Sequence, residues 1–171
     1  MKRLSILAIG IAFGAGFVLA QDNPFSTDAK TSYTGIKNNI MKAADKMPEA
    51  NYSFRTVPEV RTYGEIIGHI ADTQLLLCGM AKGEQKPGTA AKMTSKADLI
   101  AALRASFDYC DAVYNSMTDS AGATKVKMFG RDMTKLGVLN FNTMHDNEMY
   151  GTAVAYLRIK GIVPPSSEGR P

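Results

Sequence analysis

From Thr134 to Gly161 the chain reads TKLGVLNFNTMHDNEMYGTAVAYLRIKG. Val138, Asn142, His145, Met149, Thr152, Tyr156 and Ile159 recur there at steps of four and three, the spacing of one face of an α-helix. The segment starts near Thr134, and Gly161 and Pro164-Pro165 prevent its continuation. The predicted inner face is polar where a dry core takes Leu, Ile and Val. Buried polar groups need partners. The stripe therefore predicts a water-filled pocket, a metal site, or a set of satisfied core hydrogen bonds.

Three other segments carry the same periodicity. The first runs from about Ser26 to Met47, with Ser26 or Thr27 as cap and Tyr33, Ile36, Ile40, Ala44 and Met47 as its apolar stripe. The second starts at Thr62, where Thr62-Tyr63-Gly64-Glu65 has the form of a capping box. Its stripe is Ile66, His69, Thr73, Leu76 and Met80, widened by Ile70 and Leu77, and Gly83 stops it. The third starts at Thr94 or Ser95 and carries Leu99, Leu103, Ser106, Cys110, Val113 and Met117 inward. Thr118 to Met133 is a connection in which Val126, Met128 and Gly130 suggest a short hairpin or an irregular flap. Four amphipathic helices without a strong strand pattern predict an all-α fold, a four-helix bundle.

The N-terminus reads differently. Lys2 and Arg3 precede an uncharged apolar run from Leu4 to Leu19, ending in Val18-Leu19-Ala20. That is the layout of a signal peptide, Met1–Ala20, removed after Ala20; a retained membrane anchor is the alternative. No other stretch is long enough to span a membrane. The expected domain is then 21–165, followed by a flexible tail, 166–171. The expected location is outside the cytoplasm, periplasmic or secreted. Cleavage removes two cations, so the formal charge falls from +4 to +2. With so small a charge and an exported location, nucleic acid is set aside as a partner.

The chain has two histidines, His69 and His145, both on predicted inner stripes. Imidazole is the commonest side-chain metal ligand, and facing helices of a bundle build metal sites from such residues. A catalytic zinc usually has three protein ligands and a water. The candidates for a third are Met149, one turn past His145, then Glu148 and Asp72. A thioether suits Cu(I), and core filling is the ordinary role of such a methionine. The two carboxylates lie beside the stripes and read equally as solvated or capping groups.

Gly68-His69-Ile70-Ala71-Asp72, His145-Asp146-Asn147-Glu148 and Tyr156-Leu157-Arg158-Ile159-Lys160-Gly161, in this order and spacing, resemble the DinB-like superfamily. Gly161–Ser167 resembles the end of its exported members. The likeness covers about Ser26 to Ser167. It implies a four-helix bundle with up-down-down-up topology. It also implies one divalent metal (Zn, Ni or Fe) held by a histidine of the second helix and an H-x-x-x-H pair on the fourth. His69 and His145 match the first two ligands. Met149 stands where the third histidine should be, so any metal is expected to be weak or absent unless Glu148 substitutes. Relatives include thiol-dependent transferases and isomerases.

The implied topology makes the second and third helices parallel. Residues 83–94 must then cross the bundle: twelve extended residues reach about 40 Å, and a helix of about 20 residues is about 30 Å long. Parallel packing sets Cys78 and Cys110 at one level, where a disulfide is possible; two buried free thiols are the alternative. Without a C-x-x-C motif, thiol exchange has little support. The reading is an exported DinB-like protein with a degenerate metal site, acting by binding or as a structural protein on an unknown small molecule. The alternative is a metal-dependent transferase or hydrolase using His69 and His145. Met- and Tyr-bearing helix faces also allow a homodimer.

Overall fold

A computed structural model describes residues 22–169. The expected leader, Met1–Ala20, lies outside the described residues. Five helices and one hairpin follow in order: α1 (Pro24–Lys46), α2 (Tyr63–Lys82), α3 (Lys96–Ser116), the single turn α4 (Asp119–Gly122), β1 (Lys125–Met128), β2 (Arg131–Thr134) and α5 (Lys135–Ile159). The four long helices form the bundle around one buried core among the described residues. Among the described residues no helix is long and apolar enough to cross a membrane.

Pair contacts give the direction of each helix. Tyr63 at the start of α2 donates to the Ala43 carbonyl near the end of α1 (2.8 Å), so these two run oppositely. Lys96 at the start of α3 reaches the carbonyls of Asp45 and Met47, so α3 is also opposed to α1. Gly64 abuts Leu99 near both starts, and Cys78 meets Cys110 further along; α2 and α3 are parallel. Tyr156 near the end of α5 donates to the Arg61 carbonyl (2.6 Å), so α5 opposes α2. The topology is up-down-down-up.

Local chemistry sets most boundaries. In α2 the capping box is complete: Glu65 N–H donates to Thr62 Oγ1 (3.2 Å), and Thr62 N–H donates to Glu65 Oε2 (2.6 Å). Ser95, Thr118 and Thr134 each accept a first-turn amide at the starts of α3, α4 and α5. The connection reads as a two-residue hairpin, with Phe129 (φ 49°) and Gly130 (φ 81°) at its tip. The start of α1 corrects the sequence reading. Neither Ser26 nor Thr27 caps it. Pro24 opens the helix, and Asp119 from α4 accepts the Phe25 and Ser26 amides (3.2 and 2.7 Å). That partner is more than ninety residues away in sequence, beyond any local signal.

The strap between α2 and α3 crosses the bundle through a 3₁₀ turn at Ala90–Lys92. Asp72 holds it, its two oxygens accepting the Ala90 and Ala91 amides (2.8 and 3.0 Å). Gly88 passes so close that a Cβ there would lie 2.0 Å from Asp72 Oδ1. Residues 166–168 make contacts with the bundle. Ser166 N–H donates to the Tyr150 hydroxyl, Arg158 donates to Ser167 Oγ, and Lys46 pairs with Glu168.

The predicted stripes of α2 and α5 lie only partly on the core face: Ile66, Ile70, Leu77, Val138, Asn142 and Tyr156 are buried, and other members are not. Leu76 is 40% exposed and Ile159 59%, and Thr152 is exposed. Gln74 and Asp146 are instead fully buried. The physical reason is that α2 packs against both α3 and α5, so its buried arc is wide. Much of that arc is Gly64, Gly68, Ala71, Gly79 and Ala81, small residues that carry little hydrophobic signal.

Candidate two-histidine site

The α2 capping box and the Thr134 cap of α5 set the axial positions of His69 and His145. The antiparallel packing of those helices brings the two imidazoles together. His145 Nε2 lies 3.1 Å from His69 Nε2, with ring centroids 4.9 Å apart and planes at 71°. Both side chains are half-buried. Burial pushes both below the usual histidine value, and the Arg61 guanidinium pushes each further down. Glu148 opposes the shift on both, and Asp72 on His69. At neutral pH the pair is therefore uncharged, and one ring donates its Nε2–H to the bare Nε2 of the other.

Arg61 was not singled out in the sequence. It sits in the loop just before Thr62, its carbonyl held by Tyr156. With Glu59 and Val60 it lines two clefts. One, of about 430 Å³, is lined by Arg55, Glu65, His69, Asp72 and Ala91 together with Arg61. The other, of about 530 Å³, is lined by Ile66, Met149, Thr152 and Tyr156 together with Arg61. The first is charged and polar; the second has an apolar floor.

The donor set falls short of a three-ligand metal centre. The two Nε2 atoms are close enough to share one ion, since a Zn–N bond is about 2.1 Å. Beyond them the set fails. Met149 offers only a thioether. Both oxygens of Asp72 are taken by the strap, which makes it the structural group of the two readings. Glu148 is exposed on the following turn. Among the described residues no three His, Cys, Asp or Glu side chains cluster as a metal site. His145 Nδ1 is buried without a partner, whereas a ligating histidine normally donates its second nitrogen to an acceptor.

Beneath the histidines lies a polar layer that sequence reasoning missed except for Asn142. Gln74 accepts from Asn142 Nδ2 (2.8 Å) and donates to Asp146. Tyr114 donates to the Leu139 carbonyl and meets Thr143, and Tyr33 stacks on it at 3.9 Å. Asp146 Oδ1 and Asn142 Oδ1 have no partner. Burial holds the Asp146 carboxyl well above its ordinary value, with the Gln74 hydrogen bond opposing, so it is protonated far above the usual range. The signal was present: Ile67, Ile70, Gln74, Leu77 and Cys78 also keep helical spacing, as do Asn142, Asp146, Tyr150, Ala153 and Leu157. Cys78 and Cys110 lie alongside, fully buried and joined as a disulfide with Cα atoms 5.5 Å apart.

The profile of the DinB superfamily matches residues 33–153, and the chain belongs to that family. Solved structures share the fold. A DinB-like protein from Bacillus cereus ATCC 10987 is 22% identical with a TM-score of 0.70, over 81% of this chain and 95% of that one. YfiT from Bacillus subtilis, described as a probable metal-dependent hydrolase with an unusual four-helix bundle topology, is 11% identical with a TM-score of 0.64, over 84% and 91%. A mycothiol-dependent maleylpyruvate isomerase is 16% identical with a TM-score of 0.62; the match covers 75% of this chain but 59% of that protein. No curated protein sequence matches the chain.

Proposed function

We propose that this protein is an exported member of the DinB superfamily that binds a small molecule in the clefts beside Arg61, without metal catalysis. The observation that carries this reading is Met149 in the place of a third ligand, with both Asp72 oxygens taken by the strap. The imidazoles, the Arg61 guanidinium and the apolar floor under Met149 and Tyr156 supply a donor, an acceptor, a fixed positive charge and a hydrophobic wall. Such a mixture orients a small ligand. The basic n-region, apolar run and Val18-Leu19-Ala20 end support export.

The second reading is a divalent-metal-dependent transferase or hydrolase. It is favoured by the imidazole spacing and by the descriptions attached to YfiT and the mycothiol-dependent isomerase. Elemental analysis of the mature chain, Gln21–Pro171, purified without tag or chelator, separates the two. We expect well under about 0.1 equivalent of Zn, Ni, Fe or Cu, against about one for a three-ligand site. One equivalent, lost in His69→Ala, would overturn the binding reading in favour of the metal enzyme.

A further inference from the structure

The β1–β2 hairpin plays no part in the histidine clefts. Its tip is an anomaly. Phe129 holds a left-handed backbone (φ 49°) at the first corner of a two-residue turn, followed by Gly130 (φ 81°). Such turns take Asn, Asp or Gly at both corners, and a bulky side chain there is an outlier. Burial does not offset the strain, because Phe129 is 64% exposed. Its ring leans edge-on toward Phe141 of α5, centroids 6.5 Å apart. Phe141 is itself 36% exposed, and Met144, one turn further along α5, is 67% exposed. The result is an exposed apolar patch at the end of the hairpin, with Phe129, Phe141, Met128 and Met133 around a cleft of about 350 Å³.

Charge is concentrated at the same place. Residues 125–135 hold Lys125, Lys127, Arg131 and Lys135 against the single acid Asp132, a net +3 out of +4 for the whole chain. Lys127 pairs with Asp132 at 2.7 Å, but both stay exposed. We propose that the Phe129 tip, with Phe141 and Met144 beside it and the cations of the hairpin behind it, seats on the surface of an anionic phospholipid bilayer. Aromatic rings suit the headgroup boundary, and nearby lysines and arginines are drawn to the anionic surface. Size favours lipid over a protein face. The three exposed side chains offer roughly 300 Å², while a stable protein interface needs about 800 Å² from each partner.

The test uses the expected mature chain, residues 21–171, which keeps every described element of the bundle and lacks the apolar run that would itself partition into vesicles. Sedimentation is measured with vesicles of equal parts phosphatidylcholine and phosphatidylglycerol, and with phosphatidylcholine alone. Binding is expected on the mixed vesicles, weaker by about tenfold on the neutral ones and falling with salt. Phe129→Asn separates docking from folding. It creates the Asn-Gly turn that hairpins prefer, so its thermal midpoint should rise while vesicle binding drops about tenfold or more. Full binding by Phe129→Asn, equal binding to both vesicles, or none at all would overturn the proposal. So would a concentration-dependent dimer that Phe129→Asn dissolves, since a second copy would then cover the tip.

Discussion

Replacing both members of the Cys78–Cys110 pair by alanine should remove much of the stability of the bundle. The two residues are separated by 32 positions and are fully buried. In the chain-entropy account, closing a loop of that length in the unfolded state is worth about 3.7 kcal/mol at 25 °C. A domain of this size has a total of about 5–15 kcal/mol, so the loss is a quarter or more of it. The link also matters locally, because it joins two parallel helices whose covalent connection is the long strap. The assay is urea unfolding followed by circular dichroism, on oxidised wild type and on Cys78→Ala/Cys110→Ala. A loss of about 3–4 kcal/mol is expected. The variant should also show a steeper urea dependence, since its unfolded chain exposes more surface. Thiol titration of the unreduced protein in denaturant should find no free thiol. Two free thiols, or a double variant within about 1 kcal/mol of wild type, would refute the reasoning.

Met149→His supplies a third imidazole one turn past His145, and calorimetry should show affinity for Zn²⁺ or Ni²⁺ rising about tenfold or more; equal affinities would mean the position was never a ligand slot. Asp146 gives the pH dependence. Its folded pKa is raised by burial, so its contribution is whole below the unfolded value of about 3.9 and is lost as pH rises through the folded one. Between those limits wild type should lose up to about 1.4 kcal/mol per pH unit relative to Asp146→Asn. Asparagine keeps the neutral form's acceptor for Gln74, so parallel pH profiles in urea melts would place an ionised carboxylate there instead. Gly88→Ala drives a Cβ into Asp72 and should displace the strap from its two carboxylate hydrogen bonds, costing about 1–3 kcal/mol in the same melts; an unchanged midpoint would show that the strap yields freely.

The helices were readable from sequence because their boundary signals are local. Thr62 with Glu65, Ser95, Thr134, Gly83 and Gly161 act within a few residues of themselves, and each is found doing so. The candidate site was half readable. His69 and His145 stood out as the only imidazoles, and they meet. Arg61 and the Gln74–Asp146 layer did not stand out. A loop arginine has no periodicity, and a buried acid is conspicuous only once its surroundings are known.

By itself the sequence determined the number, extent and amphipathic character of the long helices, because hydrogen bonding within a helix and capping within a turn depend on near neighbours. It also carried the family likeness, through short motifs in a characteristic order. Tertiary structure alone decided which arcs of α2 and α5 are buried, that Asp119 caps α1 from the far end of the chain, and that Asp72 serves the strap. The common reason is that burial and hydrogen-bond partnership are set by whatever packs opposite. On α2 the opposite surfaces are both α3 and α5, so the core face lies beside the most hydrophobic stripe, and the histidines stand at its rim.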